Sequence, residues 1–71
     1  MQFEAIVEAL TYASGHERQV RITTSDDREV VGVPTSVDPG MDALEVYLHP
    51  VGDPTVEIAV SLTRIQSVDI G

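Results

Sequence analysis

Cysteine, lysine and tryptophan are all absent from this chain. Without Cys there is neither a disulfide framework nor a Cys-based zinc site. Without Lys, the only cations are four Arg (Arg18, Arg21, Arg28, Arg64), set against twelve acidic residues for a formal net charge of −8. Nucleic-acid affinity comes largely from cations on phosphates, so RNA is expected to bind weakly in a field that repels polyanions. Aromatic residues are scarce too. Phe3, Tyr12 and Tyr47 are the whole set, which leaves little on which to stack bases. No apolar run approaches the roughly 20 residues of a membrane span. The opening Met-Gln-Phe-Glu has neither the basic start nor the apolar stretch of a signal peptide, so a cytoplasmic location without membrane contact is expected. There is no Gly-rich phosphate cradle either.

What is present fits one small domain spanning residues 1–71. Apolar residues make up 42% of the chain, enough for a globular core and too many for a disordered segment. Phe3, Ile6, Val7 and Leu10 fall at i, i+3, i+4 and i+7 and predict a helix over about residues 2–14, stopped near Gly15. From Gln19 the period becomes two. Val20, Ile22 and Thr24 alternate with Arg21 and Thr23 in a first strand, closed by the polar turn Ser25-Asp26-Asp27-Arg28. Val31, Val33, Thr35 and Val37 share one face of a second strand, ended by Asp38-Pro39-Gly40. Leu44, Val46 and Leu48 alternate with Glu45, Tyr47 and His49 in a third, and Val56, Ile58, Val60 and Leu62 with Glu57, Ala59 and Ser61 in a fourth. A tight turn leads to a short fifth strand with Ile65, Val68 and Ile70. The predicted class is mainly β: a helix, then a five-stranded antiparallel SH3-like barrel over about residues 19–70, with the helix stripe covering its open end. Pro34 cannot donate a ladder hydrogen bond. It marks either a sharp bend in the second strand or an outward edge position.

Candidate chemistry is thin. His16 and His49 belong to no ligand-spaced motif and read as solvated helix-end and surface-strand residues. The serines lack a nucleophile-elbow context. Asp26-Asp27 reads as turn chemistry, and Asp38 and Asp42 lack the full calcium-loop pattern. The expectation is therefore no enzyme, no cofactor and no metal.

Helix, then five strands with a bent second strand, resembles the Sm-like fold, and particular residues add to the likeness. Gly32, Asp38 and Met41 match the first Sm motif, in which a strand-two Gly is followed by an apolar-Asp pair and Met-Asn. Asp42 stands where that family carries the Asn of its RNA-base pocket. The second motif, apolar-Arg-Gly, falls near Val60-Ser61-Leu62, where Val60 fits and Ser61-Leu62 replaces the Arg-Gly pair. Asp38, Met41, Asp42 and Ser61 are thus the pocket equivalents, and two of them have lost the RNA-contacting group. Leu62-Thr63-Arg64-Ile65-Gln66-Ser67-Val68 also resembles the segment closing the Rho-binding antiterminator Rof. With Tyr47-Leu48 and Arg28-Glu29-Val30, it resembles the Sm-like core of WYL regulatory domains as well. The resemblance implies a regulatory binding module of the RNA or transcription machinery.

The acidity has two readings: solubility, including a GC-rich or salt-adapted origin, or docking on a basic protein surface. On the second, Glu45, Tyr47 and Glu57 form the expected partner-binding patch. Tyr47 is the best single contact; otherwise it covers barrel surface or packs under the helix. Two rival functions stand beside this one: a ring-forming Sm-like RNA binder, and a structural domain that self-associates by strand-edge pairing.

Overall fold

The computed structural model describes residues 2–38, 40 and 44–71. Helix α1 (Phe3–Gly15) is followed by β1 (Val20–Thr24), β2 (Glu29–Asp38), β3 (Glu45–His49), β4 (Ile58–Ser61), a 3-10 turn (Leu62–Arg64) and β5 (Ile65–Ile70). The strands form one antiparallel sheet in the order β4-β3-β2-β1-β5. This is the predicted mainly β class with one N-terminal helix. The barrel is not closed, however: among the described residues β4 pairs only with β3 and β5 only with β1. The fourth strand is also shorter than expected. Val56 and Glu57, expected inside it, precede it, and Val56 is exposed rather than inward. The strand left is only 4 residues long.

One cluster of apolar side chains lies between helix and sheet. Ile6, Leu10 and Ala13 of α1 meet Val20 and Ile22 of β1, Val46 and Leu48 of β3, and Leu62, Ile65 and Val68 beyond them. Burial of this area is the main stabilising term. Phe3, expected in the core, is 42% exposed. Its angular position on the stripe is right and its axial position is not: the first turn of α1 runs past the residues that form the core. The helix also ends differently from expectation. Gly15 is its last residue, and the left-handed residue that terminates it is Glu17 (φ 53), with the Arg18 N–H donating to the Ala13 carbonyl at 2.9 Å. That six-to-one bond is the Schellman pattern, with a glutamate where glycine is favoured.

β2 resolves the question of Pro34. Glu29–Gly32 pair with β1, whereas Val33–Asp38 pair with β3, so the strand passes from one half of the sheet to the other at Gly32-Val33-Pro34. Pro34 is buried at this bend, opposite Leu48, and is not an outward edge residue. The β1 ladder has already ended at Gly32, so no strand on that side asks for its missing N–H. A bulge at Thr35 then shifts the register. It explains why Val31, Val33, Thr35 and Val37 do not share one buried face: Gly32 and Pro34 point inward before the bulge, and Val37 turns to the core after it.

Candidate functional site

The bend and the register together lay out the outer face of β2, β3 and β4. Glu45 and Tyr47 alternate with the buried Val46 and Leu48, so they project outward, as period two requires, and both are half-buried. Register sets their neighbours. Glu45 lies directly opposite Asp38 on one side and Ser61 on the other; Tyr47 lies opposite Ser36 and Ala59. One row across the sheet is therefore Asp38–Glu45–Ser61 and the next is Ser36–Tyr47–Ala59. Small neighbours flank the tyrosine ring. Thr35 Oγ1 donates to the Tyr47 carbonyl at 3.2 Å, holding the bulge against β3.

The expected patch is thus partly assembled. Glu45 and Tyr47 share one face. Glu57 lies exposed in the segment leading into β4, outside the ladder, one position before the Ile58–Leu48 pair. Of the pocket equivalents, Asp38 and Ser61 flank the same residue, Glu45. Met41 and Asp42 lie outside the described residues. The Asp38 carboxylate accepts the Gly40 N–H at 3.0 Å, and the Ser61 and Thr63 hydroxyls are 3.0 Å apart.

Charge is poorly compensated on this surface. Among the described residues a single ion pair forms, Arg28–Asp26 at 3.2 Å, and it belongs to the β1–β2 turn. The Thr24 hydroxyl, donating to the Asp26 carboxylate, holds that carboxyl below the usual aspartate range, with the Arg28 guanidinium adding to the effect. Asp38 and Glu45 are directly paired like charges, which is destabilising across a sheet, and among the described residues neither has a cation within salt-bridge distance.

One convergence was not visible in the sequence. Where the sheet stays open, a cleft of about 370 Å³ runs beside β4 and gathers Arg28 and Arg64 with Asp26, Glu45 and Ser61. The Ser25 N–H donates to the Arg64 carbonyl at 2.8 Å and ties the β1–β2 turn to the 3-10 turn. That contact, with the Thr24–Ile65 pairing of β1 and β5, brings the two arginines to one cleft, and no spacing signals it. The two histidines stay apart in role. His16 stacks on Tyr12 with ring centroids 4.3 Å apart, and His49 Nδ1 lies 3.1 Å from the Pro50 carbonyl. Among the described residues no group of three or more His, Asp or Glu gathers as metal ligands would, and no helix is long and apolar enough to cross a membrane. Set against family models, curated proteins and solved structures, the chain matches none.

Proposed function

We propose that this chain is a non-catalytic binding module of Sm-like type, acting on the RNA or transcription machinery by docking on a basic protein surface. The carrying observation is the Asp38–Glu45 pair: two carboxylates directly opposite on one outer face, with no cation at salt-bridge distance among the described residues. A partner Arg or Lys placed between them relieves the repulsion, and Tyr47 in the next row supplies contact area. The order of helix and strands and the bend of β2 at Gly32-Val33-Pro34 support the Sm-like reading. The same row weighs against the ring-forming RNA binder, because an acidic row where the base pocket would lie repels phosphates.

A second reading has its own observation. The open sheet leaves one long side of β4 and one of β5 without a ladder partner among the described residues. Exposed edges invite strand pairing, so self-association through them is the alternative.

The test compares wild type with the Glu45→Lys/Glu57→Lys double variant and with Tyr47→Ala in pull-downs from a lysate of the source organism. Partners with basic surfaces should be captured by wild type, released by salt, and lost in the variants. Capture of the same partners by all three proteins would show that the patch lies elsewhere. Capture of nothing, with a dimer or ring in solution, would favour the edge-pairing alternative.

A further inference from the structure

A second surface also departs from what an isolated domain needs. Phe3, the only phenylalanine in the chain, stands 42% exposed at the start of α1. With Val7, one turn on and itself partly packed against the core, it forms a shallow, nearly flat apolar patch beside Glu4 and Glu8. The two apolar residues are spaced i, i+4, and so are the two acids, so an apolar row and an acidic row run side by side along the helix. The acidic row continues to Tyr12, 51% exposed and stacked on His16. Among the described residues, neither Glu4 nor Glu8 has a cation within salt-bridge distance. Favourable interaction with the helix dipole accounts for Glu4 in the first turn. It does not account for Glu8 in the second turn, or for the exposed aromatic ring of Phe3 beside them.

We infer that this face of α1 is a docking surface for a basic amphipathic helix of a partner protein, one that presents an apolar anchor to Phe3 and Val7 and Arg or Lys side chains to Glu4 and Glu8. The inference rests on the reading that the partner is basic, and it adds a second contact, on the helix, to the one on the sheet. Charge selects the occupant. A second copy of this chain seated symmetrically would set Glu4 and Glu8 against the same two acids. An anionic lipid surface meets the same repulsion. An added strand finds no ladder to pair with, because a helix leaves free N–H groups only at its first turn, pointing along the axis and not out from its side. Recognition must therefore run through side chains at one-turn spacing, which a helix matches.

The experiment measures binding of a fluorescent amphipathic peptide of about 16 residues, with Leu at i, i+3, i+4, i+7 spacing and Lys on both flanks, by anisotropy on the full chain. A scrambled peptide of identical composition is the control. The amphipathic peptide should bind, with affinity falling about tenfold or more in Phe3→Ala and again in Glu4→Lys/Glu8→Lys, while the scrambled peptide binds far less. Circular dichroism melts of the variants check that they fold. Equal binding of both peptides, or binding untouched by Phe3→Ala, overturns the inference. Binding lost instead in Glu45→Lys/Glu57→Lys overturns it and leaves the basic-partner reading standing; binding of neither peptide counts against both. A dimer, or adsorption to neutral phosphatidylcholine vesicles, that disappears in Phe3→Ala assigns the surface to a second copy or to lipid and overturns it likewise.

Discussion

A Cβ on Gly32 would stand 2.5 Å from the carbonyl oxygen of His49. Leu48 Cδ1 would be 3.0 Å away. β2 bends over β3 at this point, and only a residue without a side chain lets the two backbones approach so closely. The closest atom belongs to the backbone of a paired strand, so a clash cannot be relieved by a rotamer change. Gly32→Ala should cost about 2–3 kcal/mol and lower the melting temperature by roughly 10–20 °C. A melt within two or three degrees of wild type (order of magnitude from the same scaling) would show that the bend tolerates a methyl group.

Glu17 offers the opposite experiment. It holds φ 53 at the end of α1, a conformation that costs a residue with a Cβ about 1–2 kcal/mol. Glycine adopts it freely but loses more entropy on folding. Glu17→Gly should therefore gain about 0.5–1 kcal/mol and raise the melting temperature by roughly 3–6 °C. The side chain forms no ion pair that the change would remove. A fall in the midpoint would mean that the carboxylate contributes something its position does not reveal.

Asp26 titrates with a predictable sign. Its folded-state carboxyl lies below the usual range, chiefly because Thr24 donates a hydrogen bond to it, then because its own backbone N–H and the Arg28 guanidinium favour the charged form. A depressed carboxylate contributes stability that is present above its unfolded value and lost as pH falls through the folded one. The group is solvent-exposed, so the effect on overall stability is small. The readout is the carboxyl carbon shift of Asp26 by NMR titration. Thr24→Val should move its midpoint upward toward the ordinary range, and Arg28→Gln should move it less. A larger shift in Arg28→Gln than in Thr24→Val would reverse the order of causes.

Some of this architecture was legible in the residues, and the reasons differ by element. β1 and β3 alternate without interruption, so Val20, Ile22, Val46 and Leu48 could be assigned inward from period alone. β2 could not be read that way, because a bulge at Thr35 changes its phase and a bulge leaves no mark in a polarity pattern. Phe3 follows the helical stripe in angle, but how far a helix overhangs its sheet is a tertiary fact. The fourth strand was read too long, because Val56 and Glu57 stay outside it despite their alternation with Ile58 and Val60, and the open edges of the sheet are a tertiary fact. Glu45 and Tyr47 were placed correctly on one outer face. That Glu45 faces Asp38 and Ser61 at once required the register of two ladders, which no local pattern encodes.

Leu10 ties the helix to the core. It is fully buried, on the same stripe as Ile6 and Ala13. Leu10→Asp would place a carboxylate among apolar side chains at a cost of several kcal/mol. A domain of 71 residues has only about 4–11 kcal/mol of stability to lose. The variant should be unfolded or close to it at 37 °C, whereas Phe3→Ala, on the exposed end of the stripe, should melt within a few degrees of wild type. The two melts together separate core from docking surface. An unperturbed Leu10→Asp melt would mean that α1 does not pack on the sheet through this face.

RNA separates the proposed function from its ring-forming rival. Binding to oligo-uridylate draws on counterion release, and the four Arg are all that the chain can offer. Two of them, Arg28 and Arg64, share a cleft with Asp26 and Glu45, so the local charge there is balanced rather than positive. The row beside that cleft carries Asp38 and Glu45, and Ser61 stands where the resemblance would place an arginine. Anisotropy with a short uridine-rich RNA should therefore show weak or no binding at physiological salt, and the solution mass should not change when RNA is added. Glu45→Arg gives the complementary measurement. It removes one member of the like-charge pair and adds a cation to the cleft, so it should raise RNA affinity with a steeper salt dependence while leaving the fold intact. Tight, salt-sensitive binding by the wild type, accompanied by a ring-sized mass, would instead promote the RNA-binding rival over the protein-docking module.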